Sequence, residues 1–233
     1  MVREAFSRAA AKPEGISGID FLEAILRERP DLRELVERDE REGGLRPEFR
    51  DEGWCSHVII IGNEVFKAPK NADFIRDFDK EPALLQEMKG KGLPVPEVTY
   101  IGKESVFFSM TKMPGDSLDT LIRKMSMHEM QRLAEDVVDF MIDMAKALKR
   151  PPGLFALQGD LKESNIFVDP VTKRLTGIID FGMATDVPKN YFGPRNTEDG
   201  EFRYMINEIL LKRRTELPSA PVHSRKRMAR AAC

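Results

Sequence analysis

The stretch LQGDLKESNIFVDPVTKRLTGIIDFG, from Leu157 to Gly182, places polar side chains between apolar runs that are typical of strands. Asp160, Asn165 and Asp180 each adjoin such a run. A carboxylate that leaves water is costly unless it is paired or bound to a metal. Turn chemistry explains Asp169, because Asp accepts hydrogen bonds from backbone N–H groups in turns. It explains Asp160 and Asp180 poorly, so these two acids require a functional explanation.

The order of these residues, D-x-x-x-x-N followed by two strands and D-F-G, is what phosphoryl transfer from a magnesium nucleotide requires. One acid accepts or orients the hydroxyl of the acceptor. An amide oxygen and a second carboxylate are hard oxygen ligands of the kind that Mg²⁺ prefers. Turns after strands would present all three side chains at one edge. The sequence therefore predicts a kinase-type site in this stretch.

The segments GDLKESNIFVD and LTGIIDFG resemble the catalytic loop of the aminoglycoside phosphotransferases and of the wider choline-kinase-like family. That family is similar in fold to the eukaryotic protein kinases. The resemblance implies a two-lobed α+β fold, with a small antiparallel-sheet N-lobe, a mainly helical C-lobe and, here, an extra N-terminal helical segment. It also implies that Asp160 is the catalytic acid, that Asn165 and Asp180 are metal ligands, and that the cofactors are ATP (or GTP) and Mg²⁺.

A kinase-like site requires further parts upstream. Lys67, in NEVFKAPK, ends a predicted strand and would hold the α- and β-phosphates, while Glu81 would lie on the next helix and orient that lysine. The segment DEGWCSHVII offers Ser56 for a short loop over the phosphates. The segment FFSMTKMPGDSL resembles the family's hinge, which implies that the backbone around Met110 and Lys112 meets the adenine.

The pattern along the chain predicts an arm with a helical extension (1–50), an N-lobe (51–113), a C-lobe (114–215) and a basic, disordered tail (216–233). Pro114-Gly115 is the predicted hinge between the lobes. Helices are predicted to start near Asp20 and near Pro30, and further helices are predicted over 73–91 and 198–212. A Ser126–Glu129 capping box predicts the start of another helix, with Met127 on its buried face. The runs Val58–Ile61 and Glu64–Lys67 predict a hairpin.

Two departures from the family leave the acceptor open. Gln158 stands where the family usually has His, although a glutamine amide can also donate and accept hydrogen bonds. Only fifty-one residues follow Gly182, whereas the antibiotic-modifying members carry a larger helical region there. The leading hypothesis is a phosphotransferase that acts on a hydroxyl of a small molecule.

Two other hypotheses remain. An atypical protein kinase, of RIO-like or bacterial type, would use a protein substrate, and Lys162 would then join the catalytic residues by steadying the γ-phosphate. A pseudokinase scaffold is suggested by Gln158. The presence of Lys67, Glu81 and all three residues of the opening stretch argues against that scaffold.

Composition excludes several other classes of protein. The formal net charge is -2, from 37 basic and 39 acidic residues, which argues against a dedicated nucleic-acid binder. The two cysteines, Cys55 and Cys233, do not form a disulfide framework, and no Cys/His cluster has zinc spacing. No apolar run reaches the length of about 18 residues that a membrane helix needs. We therefore expect a cytoplasmic protein without a membrane partner.

Overall fold

A five-stranded sheet forms the framework of the first lobe. The computed structural model describes residues 18–38, 43–50, 55–71, 78, 80–103, 106–148, 150–151, 154–188 and 201–217. The strands are β1 (Glu48–Arg50), β2 (Ser56–Ile61), β3 (Glu64–Pro69), β4 (Val98–Ile101) and β5 (Phe108–Thr111), in the antiparallel order β1-β2-β3-β5-β4. Strand β3 is therefore central. The sheet begins at Glu48, slightly before the predicted lobe boundary at residue 51.

The hairpin between β2 and β3 confirms the prediction from Gly62-Asn63. Gly62 has a φ of 60°, a backbone conformation that glycine adopts without steric cost. The register pairs Ile61 with Glu64 and Val58 with Lys67. Because successive side chains of a strand point to opposite faces, Phe66 lies on one face of the sheet and Lys67 on the other.

Two short helices, α1 (Gly18–Glu28) and α2 (Pro30–Glu37), cover the outer face of the sheet. Pro30 occupies the first turn of α2, where its missing N–H costs nothing. Both helices confirm the predictions made from Asp20 and Pro30. The buried side chains of this outer core are Phe21, Ile25, Leu26, Leu32, Ile59, Ile61, Phe66, Ala68 and Phe107.

Helix α3 (Lys80–Lys89) follows β3 and packs on the opposite, inner side of the sheet. Leu85 and Met88 of α3 are fully buried in the larger core. In the predicted helix over 73–91, residues 73–77 and 79 lie outside the described residues, and Phe78 is helical. At the other end, a turn from 90 to 92 replaces the predicted helix, and Gly92 adopts a φ of 78°.

The second lobe is built on helices with two small sheets. Its helices are α4 (Leu118–Leu121), α5 (Met127–Ala147) and α6 (Glu201–Arg213), with 3-10 turns at Ile122–Lys124, Glu163–Asn165 and Arg214–Glu216. One sheet joins β6 (Asp116–Ser117), β8 (Ile166–Val168) and β9 (Leu175–Ile178); the other joins β7 (Leu154–Leu157) and β10 (Thr185–Pro188). The stretch from 157 to 182 is thus a strand end, a loop and the hairpin β8–β9.

Helix α5 begins as its sequence predicts. The Glu129 N–H donates to Ser126 Oγ (3.3 Å), and the Ser126 N–H donates to Glu129 Oε2 (2.7 Å), which together form a capping box. The prediction that Met127 is buried is wrong, because its side chain is 52% exposed at the first turn. Phe140 and Ile142 are buried in addition to the predicted stripe, since α6 packs against a second side of α5.

One continuous hydrophobic core connects the two lobes. It joins Leu85 and Met88 of α3 and Met110 of β5 to α5, α6 and the β8–β9 hairpin. The crossing near Pro114-Gly115 is tight, since a Cβ on Gly115 would lie 2.4 Å from the Val168 carbonyl oxygen. This core holds the strand ends and loops of both lobes in place.

Helix α6 was predicted over 198–212 and spans Glu201–Arg213. Residues 1–17 of the predicted arm and residues 218–233 of the predicted tail lie outside the described residues. The prediction of disorder is wrong at the start of the tail, because Glu216 ends a 3-10 turn and Leu217 is buried. Within the described part of the chain, none of the helices combines the length and hydrophobicity needed to cross a lipid bilayer.

Candidate active site

The central strand β3 and helix α3 bring Lys67 and Glu81 together. Lys67 Nζ lies 2.7 Å from Glu81 Oε2 and 3.0 Å from Glu81 Oε1. Both residues are almost completely buried, with 5% and 1% of their surface exposed. Ion pairs this deep are maintained only when each charge has good partners, because burial removes their water. The predicted pairing of this lysine and glutamate is present.

Asp180 joins the same cluster from the second lobe. Its Oδ1 lies 3.0 Å from Lys67 Nζ, although the two residues are 113 positions apart in the chain. The next residue, Phe181, donates its backbone N–H to Glu81 Oε1 at 3.1 Å. Lys67 and Glu81 therefore hold the D-F-G segment by one side chain and by one backbone group.

The charges in this cluster shift one another. Burial lowers the pKa of Lys67, but the carboxylates of Glu81 and Asp180 outweigh that effect and the pKa is raised above its usual value. Burial raises the pKa of Asp180, and Lys67 more than offsets it, so the net pKa is lowered. Burial raises the pKa of Glu81, and Lys67 offsets only part of the rise. Around one shared lysine, the pKa of one carboxylate is thus lowered and that of the other is raised.

The loop after β7 carries Asp160 and its neighbours. Lys162 Nζ lies 2.7 Å from Asp160 Oδ2. Asn165 donates through Nδ2 to the Asp160 carbonyl at 2.9 Å and to Asp160 Oδ2 at 3.3 Å. The 3-10 turn Glu163–Asn165 makes these contacts possible, because it folds Asn165 back towards the start of the loop. None of these bonds uses Asp160 Oδ1.

The hairpin β8–β9 connects this loop to the D-F-G segment. Ile166 pairs with Ile178, and the Ile179 N–H donates to the Asn165 carbonyl at 3.0 Å. Asn165 precedes one strand of the hairpin and Asp180 follows the other, so both residues lie at the same end of it. The predicted convergence of Asp160, Asn165 and Asp180 is therefore present in the structure.

Gln158 spans the two segments from a nearly buried position, with 3% of its surface exposed. Its Nε2 donates to the carbonyls of Ile179 (3.0 Å) and Asp180 (2.6 Å), and its Oε1 accepts the Asp160 N–H (2.7 Å). The resemblance implies that the Gln158 amide can take over the family histidine's support of the catalytic loop and the D-F-G segment. Its contacts reach both the catalytic loop and the D-F-G segment.

The chemistry of these donors fits Mg²⁺. Asn165 uses its Nδ2 on Asp160, so its amide oxygen is directed to the other side, and Lys67 bonds Oδ1 of Asp180 but not Oδ2. Amide and carboxylate oxygens are typical magnesium ligands when nucleotide phosphates complete the coordination. Among the described residues, no three His, Cys, Asp or Glu side chains converge in a way that could hold a metal alone. A metal here would depend on phosphate oxygens.

The residues predicted to meet the nucleotide lie around the sheet. Ser56 begins β2 opposite Pro69 and follows Cys55, whereas residues 51–54 lie outside the described residues. Met110 is buried between Val65 and Val98 on the two neighbouring strands.

Lys112 follows β5. Its backbone N–H donates to the Asn63 carbonyl at 2.9 Å, so this group is already bonded within the protein. The N–H of Lys112 is therefore not available for the predicted adenine contact.

Two glycines make close contacts that the sequence did not predict. A Cβ on Gly177 would lie 2.0 Å from Met113 Cε and 2.6 Å from the Pro94 carbonyl oxygen, at the junction of the lobes. A Cβ on Gly159 would lie 2.0 Å from the Met183 carbonyl oxygen, beside the catalytic loop. Gly177 lies inside strand β9, where a glycine can mark a close backbone approach, whereas Gly159 lies in a loop, where glycines are common.

Known proteins resemble this chain both in sequence and in structure. A family model described as the protein kinase domain matches residues 64–224, which is more than half of the chain. The chain belongs to the protein kinase domain family. The match begins at the first residue of β3 and includes both Lys67 and the D-F-G segment.

Two curated relatives in the protein kinase domain family are the serine/threonine-protein kinases dkf-1 of Caenorhabditis elegans and of Caenorhabditis briggsae. Each is 29% identical over 160 residues, or 67% of this chain. The chain spans about a fifth of their length, 21% and 20% respectively.

Solved structures share the protein kinase-like fold over more of the chain. A streptomycin–ATP–APH(2")-IIa ternary complex has a TM-score of 0.61 at 15% identity and covers 82% of this chain and 83% of its own. The GDP complex of aminoglycoside 2'-phosphotransferase-IIIa has a TM-score of 0.60 at 18% identity and covers 86% of both chains. The predicted two-lobed α+β fold is confirmed, and membership of the family supports the predicted kinase or phosphotransferase class.

Proposed function

We propose that this protein transfers the γ-phosphoryl group of a magnesium nucleotide, ATP or GTP, to a hydroxyl group of a small molecule. The observation that carries the proposal is the connected set of Lys67, Glu81 and Asp180 next to Asp160 and Asn165. A buried lysine held between two carboxylates, facing a loop acid, suits a phosphate donor on one side and a hydroxyl acceptor on the other.

Each residue has a defined part in the proposed reaction. Lys67 would bind the α- and β-phosphates, and Glu81 would orient it. Asn165 and Asp180 would hold Mg²⁺, which supplies charge neutralisation to the phosphates. Asp160 would accept the proton of the acceptor hydroxyl through Oδ1, because its Oδ2 is engaged by Lys162 and Asn165. Lys162 would add positive charge near the transferred group.

The choice of a small-molecule acceptor is supported by the solved structures that match the chain. The aminoglycoside 2'-phosphotransferase-IIIa complex matches 86% of this chain and 86% of its own, so the two chains have similar extents. These structures are complexes with ATP or GDP, and some also contain streptomycin or kanamycin. We therefore expect a small acceptor bearing hydroxyl groups, and we leave its identity to experiment.

A serine/threonine protein kinase is the second candidate. The dkf-1 relatives carry that description, and the family model is that of the protein kinase domain. The ion pair of Lys162 with Asp160, at 2.7 Å, favours this candidate because a lysine two residues after the catalytic acid was the protein-kinase-like feature of the sequence.

Labelled transfer tests the proposed function. The purified chain is incubated with γ-labelled ATP or GTP, Mg²⁺ and a cell extract separated into metabolite and protein fractions. We expect label in the metabolite fraction. Label in proteins alone would support the second candidate instead. Label in neither fraction, with Mg-nucleotide binding intact, would contradict both and leave a nucleotide-binding scaffold.

A matched pair of variants tests the catalytic assignment. Asp160→Asn should reduce transfer at least about 100-fold, because a neutral amide cannot take the hydroxyl proton. Asp169→Asn is the control, since Asp169 lies in the same stretch and accepts only turn bonds from the N–H groups of Val171 and Thr172. Wild-type rates in Asp160→Asn would contradict the assignment.

A further inference from the structure

We propose that Thr176 is a positioning residue that joins the hinge to the β8–β9 hairpin, and so fixes the segment predicted to meet the adenine relative to the proposed metal ligands. This inference rests on the proposed function and concerns the same nucleotide site. The Thr176 hydroxyl donates to the Pro114 carbonyl at 2.6 Å, across 62 positions of the chain. Pro114 belongs to the hinge, whereas Thr176 lies on β9, shortly before Asp180.

A bulge in the hairpin explains why Thr176 can reach the hinge. The register pairs Val168 with Leu175 and then Phe167 with Gly177. The ladder between β8 and β9 therefore skips Thr176, which is an extra residue on β9. Bulges of this kind interrupt a ladder and turn a side chain to a new direction. Here the hydroxyl leaves the hairpin and meets the hinge carbonyl.

The hinge backbone packs closely on the hairpin at the same point. Gly115 has a φ of 88°, in the left-handed region that glycine adopts without steric cost. A Cβ on Gly115 would collide with the Val168 carbonyl oxygen and lie 3.2 Å from Thr176 Oγ1. The chain then continues into β6, where Asp116 pairs with Val168. The Thr176 bond is thus part of a close contact between two backbones.

The residues after Thr176 connect the hairpin to the first lobe. The Ile178 N–H donates to the Pro94 carbonyl at 3.3 Å. A Cβ on Gly177 would lie 2.6 Å from the same carbonyl oxygen, so the two backbones meet directly. Pro94 belongs to the loop after α3, the helix that carries Glu81. The hairpin therefore contacts both the hinge and the first lobe.

The other end of the hairpin carries the proposed metal ligands. Asn165 directly precedes β8, and Asp180 follows β9 after one intervening residue. At about 3.3 Å per residue, the span from Thr176 to Asp180 is about 13 Å. Ile166 and Ile178, which pair across this span, are 1% and 0% exposed in the main core. A paired and buried element of this length sets the separation between the hinge and the metal ligands before any nucleotide binds.

A nucleotide gains from a fixed separation because it must bind at both ends. When two linked groups meet two correctly spaced sites, the second contact forms without a further loss of freedom. Loss of the Thr176 bond should therefore weaken the binding of the whole nucleotide and leave each half unaffected. One hydrogen bond corresponds to about a 3- to 10-fold loss of Mg-ATP affinity. The affinities for adenosine alone and for Mg-tripolyphosphate alone should stay within about twofold of wild type.

Three variants and three ligands test this role. Thr176→Val keeps the shape of the side chain and removes the hydroxyl, whereas Thr176→Ser keeps the hydroxyl. Thr120→Val is the control, because the Thr120 hydroxyl also donates to a carbonyl, that of Ser117 at 2.7 Å, but within one turn of the chain. Mg-ATP, adenosine and Mg-tripolyphosphate each displace a fluorescent nucleotide. If wild type binds Mg-GTP more tightly, GTP and guanosine are used in their place.

We expect only Thr176→Val to lose Mg-ATP affinity selectively, with Thr176→Ser and Thr120→Val within about twofold of wild type. Unchanged Mg-ATP affinity in Thr176→Val would overturn the proposal. So would equal losses for all three ligands together with a lower melting temperature, because that pattern indicates a purely structural role. A loss of the same size in Thr176→Ser or in Thr120→Val would overturn it as well, since the hydroxyl contact with the hinge would then not be the cause.

Failure of the proposed function would look different. A wild-type chain that binds Mg-ATP but transfers its phosphoryl group to no acceptor would contradict the proposed function. The Thr176 series needs no turnover, so it would still decide the positioning role. A wild-type chain that binds neither Mg-ATP nor Mg-GTP would contradict both.

Discussion

The two faces of the five-stranded sheet each receive a charged side chain from β3, and the two charges have different surroundings. On the outer face, Glu64 Oε2 lies 3.1 Å from Arg29 Nη2, and Glu64 Oε1 accepts from Thr99 Oγ1 at 2.6 Å and from Ser109 Oγ at 3.3 Å. On the inner face, Lys67 is shared between two carboxylates.

The outer network is completed within the protein. Glu64 has three donors from three different elements, and Arg29 also lies over the Tyr100 ring at 5.6 Å. Arg29 has a second carboxylate partner, Asp31, whose side chain is 59% exposed and is therefore solvated by water. This network fixes α1 and α2 on the sheet.

The inner network places two carboxylates around one lysine. Glu81 is buried, and the side chain of Asp180 is 39% exposed. Two carboxylates that share one lysine would favour an added cation. Strand alternation thus produces an outer structural network and an inner candidate site from residues only three positions apart.

The largest effect is expected from Asp180→Asn on the inner face. Mg²⁺-supported transfer should fall at least about 1,000-fold, because loss of a ligand exceeds the 10- to 100-fold cost of losing a residue that orients one. Metal-free stability should change by less than about 1 kcal/mol, since the side chain is partly exposed. Steady-state rates over a Mg²⁺ titration check the loss of transfer, and urea-induced unfolding checks the stability. A loss of stability with an unchanged Mg²⁺ dependence would instead show that Asp180 is a structural residue.

Truncation of the outer core should affect stability and leave the chemistry intact. Phe21 of α1 is 1% exposed and meets Phe107 edge to face, with ring centroids 6.0 Å apart. Phe21→Ala should lower the free energy of unfolding by about 3 kcal/mol through a cavity and lost apolar contact. Ile19→Ala is the control at a 73% exposed position of the same helix, and it should stay within about 0.5 kcal/mol of wild type. Equal free energies of unfolding for the two variants would mean that α1 is not part of the folded unit.

The outer ion pair should contribute less. Arg29→Met leaves Glu64 with its hydroxyl donors only, which should cost about 1–2 kcal/mol in denaturant unfolding. The Mg²⁺ dependence of transfer should not change. Arg33→Met is a suitable control, because its 40% exposed side chain pairs with exposed carboxylates and should contribute less than about 0.5 kcal/mol. A shift in Mg²⁺ dependence for Arg29→Met would show that the two faces are coupled.

The smallest effect is expected away from both faces. Ser126→Ala removes half of the capping box of α5 and should destabilise the protein by about 1 kcal/mol. Because this helix end lies outside both networks, transfer and Mg²⁺ dependence measured below the melting temperature should match wild type. This variant shows how much a purely local loss of stability affects the measurements. A clear loss of transfer would contradict the division between structural and binding residues.

Local patterns in the sequence predicted much of the fold. The Gly62-Asn63 turn, the capping box at Ser126 and the D-F-G motif all depend on residues that are neighbours in the chain. The helix over 73–91 was overextended because helix propensity does not specify where packing ends. Met127 was placed on the buried stripe because periodicity cannot show that the first turn lies beyond the core.

The sequence by itself determined the order of the predicted catalytic and metal-ligand residues, and with it the family. Only the tertiary structure decided which charges meet. Lys67 reaches Asp180 across 113 positions, Arg29 reaches Glu64 across 35, and Gln158 bonds the backbone on both sides of the D-F-G boundary. The physical reason is that these contacts arise when separately specified elements pack into one core, and no local spacing encodes that packing.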